Sequence, residues 1–125
     1  MQKAILLILC LSLGLLVHTQ VVARIDKKTK EYFIPSDLKV EYRIFGYQAP
    51  TIDSKKMICF SSRIADVRAN ANSCPLGSYF DTGKLNINDR ISFLGVLGSF
   101  AKMVFISGGG KKTIFYLPKS SFVIK

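Results

Sequence analysis

The sequence predicts a small all-β domain, a barrel or sandwich, behind a removable apolar leader. Three observations carry that expectation. Apolar and polar residues alternate with a period of two in several runs after residue 32, the spacing of half-buried strands. Glycine, proline and asparagine punctuate those runs at short intervals. Long stretches with the 3.6-residue periodicity of an amphipathic helix are absent.

The leader is residues 1–23. Lys3 and the free amino terminus give it a positive end, and residues 4–17 (AILLILCLSLGLLV) form one apolar run. Val21 and Ala23 supply the small or β-branched side chains that signal peptidase accepts, so the expected cut falls before Arg24. The alternative is an uncleaved anchor, but a run of about 14 residues falls short of the roughly 20 that a spanning helix needs. Cys10 lies inside the apolar run behind the bulky Leu9, which rules out a lipid-attachment cysteine. No second apolar stretch approaches the length of a span. The processed chain is therefore expected to be periplasmic or secreted, with no stable membrane insertion.

The elements follow in order. Residues 24–31 (RIDKKTKE) read as a charged arm, loose or briefly helical, and residues 32–125 as a single β domain. Leu38, Val40, Tyr42 and Ile44 alternate with Lys39, Glu41 and Arg43, a two-faced strand broken by residues 48–51 (QAPT). Strands are expected at 57–60, at 64–68 running into a polar loop over 69–75, and at 77–80. Residues 90–97 and 99–106 are the strongest strands, joined around Gly98. Ser107 and three glycines then turn the chain, since glycine accepts the positive φ of a tight hairpin. Residues 113–117 return, Pro118 stops them, and 122–124 close the chain. Residues 32–36 (YFIPS) and 115–120 (FYLPKS) echo one another. Aromatic–aliphatic–proline runs are common at strand ends, so the echo is read as coincidence.

Charge narrows the partners. The chain carries 18 basic and 8 acidic residues, a formal charge of +10, and removing the leader takes away only Lys3. Such a field attracts anionic partners; the plainer alternative is a solvated surface that keeps the protein soluble. No dense basic block or RNA-binding aromatic signature is present, so nucleic acid is not an expected partner.

Cys59 and Cys74 survive cleavage. In an oxidising compartment they read as a disulfide closing a loop of roughly 15 residues, worth about 3 kcal/mol in the chain-entropy view. The alternative is two buried thiols. With no histidine nearby they fall short of a zinc site, and neither metal nor cofactor is expected.

Catalytic groups are scarce. His18 is the only histidine and belongs to the leader, which leaves no imidazole base for a serine or cysteine nucleophile. Asp66, Asp81 and Asp89 are the candidates for carboxylate chemistry, and their contexts match turn or surface aspartates. Residues 108–113 (GGGKKT) lack the glycine spacing and the strand-to-helix setting of a phosphate loop, so they read as a hairpin tip. No enzyme is expected.

Residues 65–68 (ADVR), 85–91 (LNINDRI), 98–104 (GSFAKMV) and 111–122 (KKTIFYLPKSSF) fall in the motif order of bacterial Src-homology-3-like (SH3b-type) domains, which residues 65–122 resemble. Residues 65–68 resemble the opening strand, and Asn88 stands where the family has a turn glycine. Phe100 takes the place of one family tryptophan, and Phe115 or Tyr116 that of the other. The resemblance implies an SH3-like barrel, with residues 32–62 as an N-terminal β extension and a ligand groove lined by aromatics. The groove candidates are Phe100, Phe115 and Tyr116, joined by Phe122 and by the nearby Lys102, Lys111 and Lys119. Aromatic faces stack on sugars or prolines and lysines hold carboxylates or phosphates. The competing reading places alternate members of this set in the core, with Tyr79 and Tyr116 the better surface positions.

The expected function is that of an exported, non-catalytic binding domain for an anionic or peptide-bearing envelope polymer, or for an envelope protein. A cationic secreted effector or inhibitor acting on a membrane or a foreign protein is the alternative. The lack of a basic amphipathic helix weighs against it.

Overall fold

The computed structural model describes residues 23–35, 40–80, 85–86 and 88–125. Nine strands, one short helix and a 3-10 turn follow one another along them: β1 (Ala23–Ile25), β2 (Tyr32–Phe33), β3 (Arg43–Tyr47), β4 (Lys56–Ser61), α1 (Ile64–Asn70), β5 (Ser78–Tyr79), β6 (Arg90–Leu97), β7 (Phe100–Ile106), β8 (Lys112–Pro118), the 3-10 turn (Lys119–Ser121) and β9 (Phe122–Ile124). They form two sheets, ordered β2-β1-β9 and β5-β4-β3-β8-β7-β6. The all-β class is as the alternation predicts. Neither sheet closes on itself; two open sheets share one core.

Side-chain alternation explains that core. On β7 and β8, Met103 pairs with Phe115 and Ala101 with Leu117, and all four are fully buried. Ile44, Ile58, Phe60, Ile91 and Phe105 extend the same apolar layer, and Ala23, Ile25, Tyr32, Ile34 and Phe122 cover it from the small sheet. The Tyr32 and Phe60 rings meet across the layers at 5.2 Å. Close approach here requires Gly46. A Cβ at that position would overlap the Phe115 ring and come within 2.6 Å of Ile58 Cγ2.

The hairpins lie where turn chemistry puts them. Gly98 (φ 60°) joins β6 to β7, and Gly110 (φ 89°) sits in the β7–β8 turn, where the Ser107 N–H donates to the Lys111 carbonyl at 2.9 Å. A β-bulge interrupts β6 between Phe93 and Gly95.

Several expectations are corrected. Residues 64–68, expected as a strand and matched to an opening SH3-like strand, begin helix α1. Ile64 and Val67 lie three residues apart and suit a helix as well as a strand, while Asp66 in the first turn complements the helix dipole. Asp66 also anchors the helix: the buried Ser61 hydroxyl donates to its Oδ2 at 2.9 Å. The arm over 24–31 is no loose segment. Ile25 is fully buried in β1, which pairs in parallel with β9 and antiparallel with β2. The chain then turns through Asp26, whose Oδ1 accepts the amides of Lys28 and Thr29. Those amide bonds hold its carboxyl below the ordinary range.

The strand expected to start at Leu38 begins at Arg43; Leu38 and Lys39 lie outside the described residues. So does the leader, except Ala23, which is buried in β1 opposite Phe122. Among the described residues no helix is long and apolar enough to cross a membrane.

Candidate functional site

The face of the large sheet turned away from the core gathers the basic and aromatic residues. Strand register defines it: β-partners share a face and neighbours along a strand alternate. Lys102 on β7 pairs with Tyr116 on β8, Tyr116 pairs with Tyr47 on β3, and Tyr47 pairs with Lys56 on β4. A transverse row therefore runs Lys56–Tyr47–Tyr116–Lys102. At a strand spacing of about 4.8 Å, its terminal lysines are set roughly 14 Å apart. Phe45 lies two residues from Tyr47 on the same face, its ring 6.5 Å from the tyrosine ring. The Lys56 ammonium sits 4.1 Å from the centroid of the Phe45 ring and the Arg43 guanidinium 5.7 Å from it. Both distances are within cation–π range.

The row runs beside a groove. Phe100 and Pro118, paired in register next to Lys102 and Tyr116, line a depression of about 410 Å³ with Pro50, Ile52, Ser99 and Lys119. The Lys119 N–H donates to the Ser99 carbonyl at 2.9 Å, tying the end of β8 to the β6–β7 turn. Phe100 is buried and forms an apolar floor, while Lys119 is exposed.

The sequence-derived candidates divide accordingly. Lys102 and Tyr116 are brought side by side, and Phe100 and Lys119 share the groove. Phe115 is not a groove residue: it is fully buried, because its strand phase is opposite to that of Tyr116. Phe122 is likewise core. Lys111 is placed elsewhere, beside a cleft of about 290 Å³ lined also by Pro75, Tyr79, Asp89, Phe105 and Thr113. Arg43, Phe45, Tyr47 and Lys56 were missed. The signal was present in residues 43–47 (RIFGY), whose alternation puts arginine and two aromatics on one face.

The expected Cys59–Cys74 disulfide is not formed. Both cysteines are free, buried thiols. Cys59 is held in the register of β4 between Phe45 and Ser78. Cys74 is fixed in the turn after α1, where its N–H donates to the Asn70 carbonyl and its own carbonyl accepts the Gly77 N–H. Burial pushes both thiols up, which keeps them protonated and slow to react.

The candidate acids occupy separate structural posts. Asp66 receives the Ser61 hydroxyl and lies 3.7 Å from Arg43 Nη1. Asp89 Oδ1 accepts the Gly108 N–H at 2.7 Å. Asp81 lies outside the described residues. No family model matches the chain, and neither does a curated protein or a solved structure.

Proposed function

We propose that the protein is an exported, non-catalytic binding domain. In this reading it holds an anionic or peptide-bearing polymer of the cell envelope, or an envelope protein bearing such groups, on the outer face of its large sheet. The observation that carries the reading is the Lys56–Tyr47–Tyr116–Lys102 row. The partly exposed Tyr116 ring offers a face on which a sugar or proline ring stacks. The buried Tyr47 lies beside it on β3, and an ammonium at each end of the row meets a carboxylate or phosphate. The Phe45 ring between Lys56 and Arg43 holds these cations in place at the sheet surface. Export rests on the leader over residues 1–23. The non-catalytic reading rests on the confinement of histidine to that leader. The SH3-like reading enters as the finer form of the fold, supported by the antiparallel β6–β7–β8 meander over residues that carry the likeness.

Co-sedimentation with purified cell-wall sacculi at physiological salt tests the proposal. The parent protein is expected to sediment with them. K102Q combined with Y116A is expected to weaken that binding about tenfold, the order of one stacking contact and one ion pair. The charge-matched K28Q/N72A, which likewise removes one charge and changes two exposed residues, should bind as the parent does. Equal binding by both double variants would remove the sheet face as the site.

A further inference from the structure

A second surface adjoins the groove and has a different character. Leu94, Val96 and Leu97 on β6 and Ile52 in the β3–β4 loop are exposed, at 52%, 49%, 53% and 66%. Leu97 pairs with Phe100, whose ring floors the groove that Ile52 also lines, so Leu97 and Ile52 meet at the end of the molecule where the β6–β7 and β3–β4 connections lie. Val96, paired with the core-side Ala101, points to the opposite face of the same edge strand, and Leu94 stands at its bulge. Basic residues surround them. Within 48–56, 94–102 and 118–121, the segments that build this end, stand Lys55, Lys56, Lys102 and Lys119 against one acid, Asp53.

β6 is an edge strand, and native edges are usually blunted by charge or by covering segments. The first half of this edge is covered: Glu31 bridges to Ser92, and the Phe93 N–H donates to the Lys30 carbonyl at 2.7 Å. Beyond it, residues 94–97 carry no charge, and no strand pairs with their outer side among the described residues. The bulge between Phe93 and Gly95 breaks the regular ladder there, leaving too short an edge to template an added strand. A second copy of the chain would bring another +10 of charge to a basic surface. A lipid interface suits both features. It takes up aliphatic side chains without requiring a backbone register, and its anionic headgroups attract the surrounding ammonium groups.

We propose that the Leu94–Leu97 and Ile52 end docks the protein reversibly on an anionic lipid surface. The aliphatic side chains would enter the headgroup–acyl boundary, with Lys55, Lys56, Lys102 and Lys119 at the phosphates. This contact shares Lys56 and Lys102 with the polymer site proposed on the sheet face, but it needs neither of the two tyrosines.

Vesicle co-sedimentation tests it, using protein recovered from expressing cells with its amino terminus read by mass spectrometry. Phosphatidylcholine vesicles containing phosphatidylglycerol are expected to bind it. Pure phosphatidylcholine vesicles should bind it far less. Binding should fall between about 0.1 M and about 1 M salt, as the screening length drops from about 10 Å to about 3 Å. L94S/L97S should weaken binding about tenfold or more, the scale set by burying leucine side chains. Both side chains are half exposed, so the thermal midpoint should stay near the parent's. The chain contains no tryptophan, so L97W gives a single fluorescence reporter, and its emission should shift to the blue on vesicle binding. Three results would overturn the proposal: binding that L94S/L97S leaves unchanged, an L97W emission that does not move, or a concentration-dependent dimer that L94S/L97S dissolves without vesicles. The last would assign the surface to a second copy.

Discussion

Phe115 and Tyr116 are adjacent in sequence and opposite in role. Phe115 is fully buried against Gly46 on the core side, whereas Tyr116 is half-buried in the outer row beside Lys102. Phe115→Ala is therefore expected to cost about 3–5 kcal/mol, the sum of lost transfer and an unfilled cavity. Tyr116→Ala should cost about 1 kcal/mol or less, near the range of surface changes. Chemical denaturation of the two variants separates the roles, and equal costs would contradict the strand phase. A period of two was legible in residues 113–117, but the phase was not. The family likeness offered Phe115 and Tyr116 as equivalents for one tryptophan, and only the register with Met103 and Lys102 tells them apart.

Strands whose signals are local were legible from sequence. The glycine turns and alternating runs of β6, β7 and β8 lie where residues 90–117 place them, because hairpin neighbours choose each other through nearby turn chemistry. Helix α1 was not legible. It buries none of its own residues, so no apolar stripe announces it, and its anchor is the Ser61–Asp66 hydrogen bond between neighbouring elements. The site was half legible for a related reason. Lys102 and Tyr116 come from one hairpin, but Tyr47 and Lys56 join them only through the β3–β8 pairing, a contact far apart in sequence.

That β3–β8 junction makes its own prediction. Gly46 lets β3 lie against Phe115, so Gly46→Val should destabilise the domain by about 1–3 kcal/mol through overpacking. It should also weaken polymer binding by displacing Tyr47 from Tyr116. Pairing it with Phe115→Leu, which makes room, should return part of both. Additive losses in the double variant would show that the two positions do not share the contact.

At the scale of the whole molecule, the core holds its titratable groups in their neutral forms. Burial is the leading cause that pushes up the phenols of Tyr32, Tyr47 and Tyr79 and the thiols of Cys59 and Cys74. A group whose pKa is higher folded than unfolded keeps its full contribution below the unfolded value and loses it as pH rises towards the folded one. Unfolded thiols titrate near pH 8.5 and phenols near pH 10. Stability should therefore hold level through neutral pH with respect to these groups, start to fall above about pH 8.5 and fall more steeply above about pH 10.

Tyr32 dominates the upper limb, because its ring packs on Phe60 while its buried hydroxyl has no hydrogen-bond partner among the described residues. Tyr32→Phe keeps the ring and removes both the ionisation and the unpaired hydroxyl. It should gain about 1 kcal/mol at pH 7 and show a shallower decline above pH 10. Denaturant unfolding of parent and variant across pH 7 to about pH 11 reads both effects. An unchanged alkaline slope would mean that the phenol reaches solvent, and a loss at pH 7 that its hydroxyl has a partner.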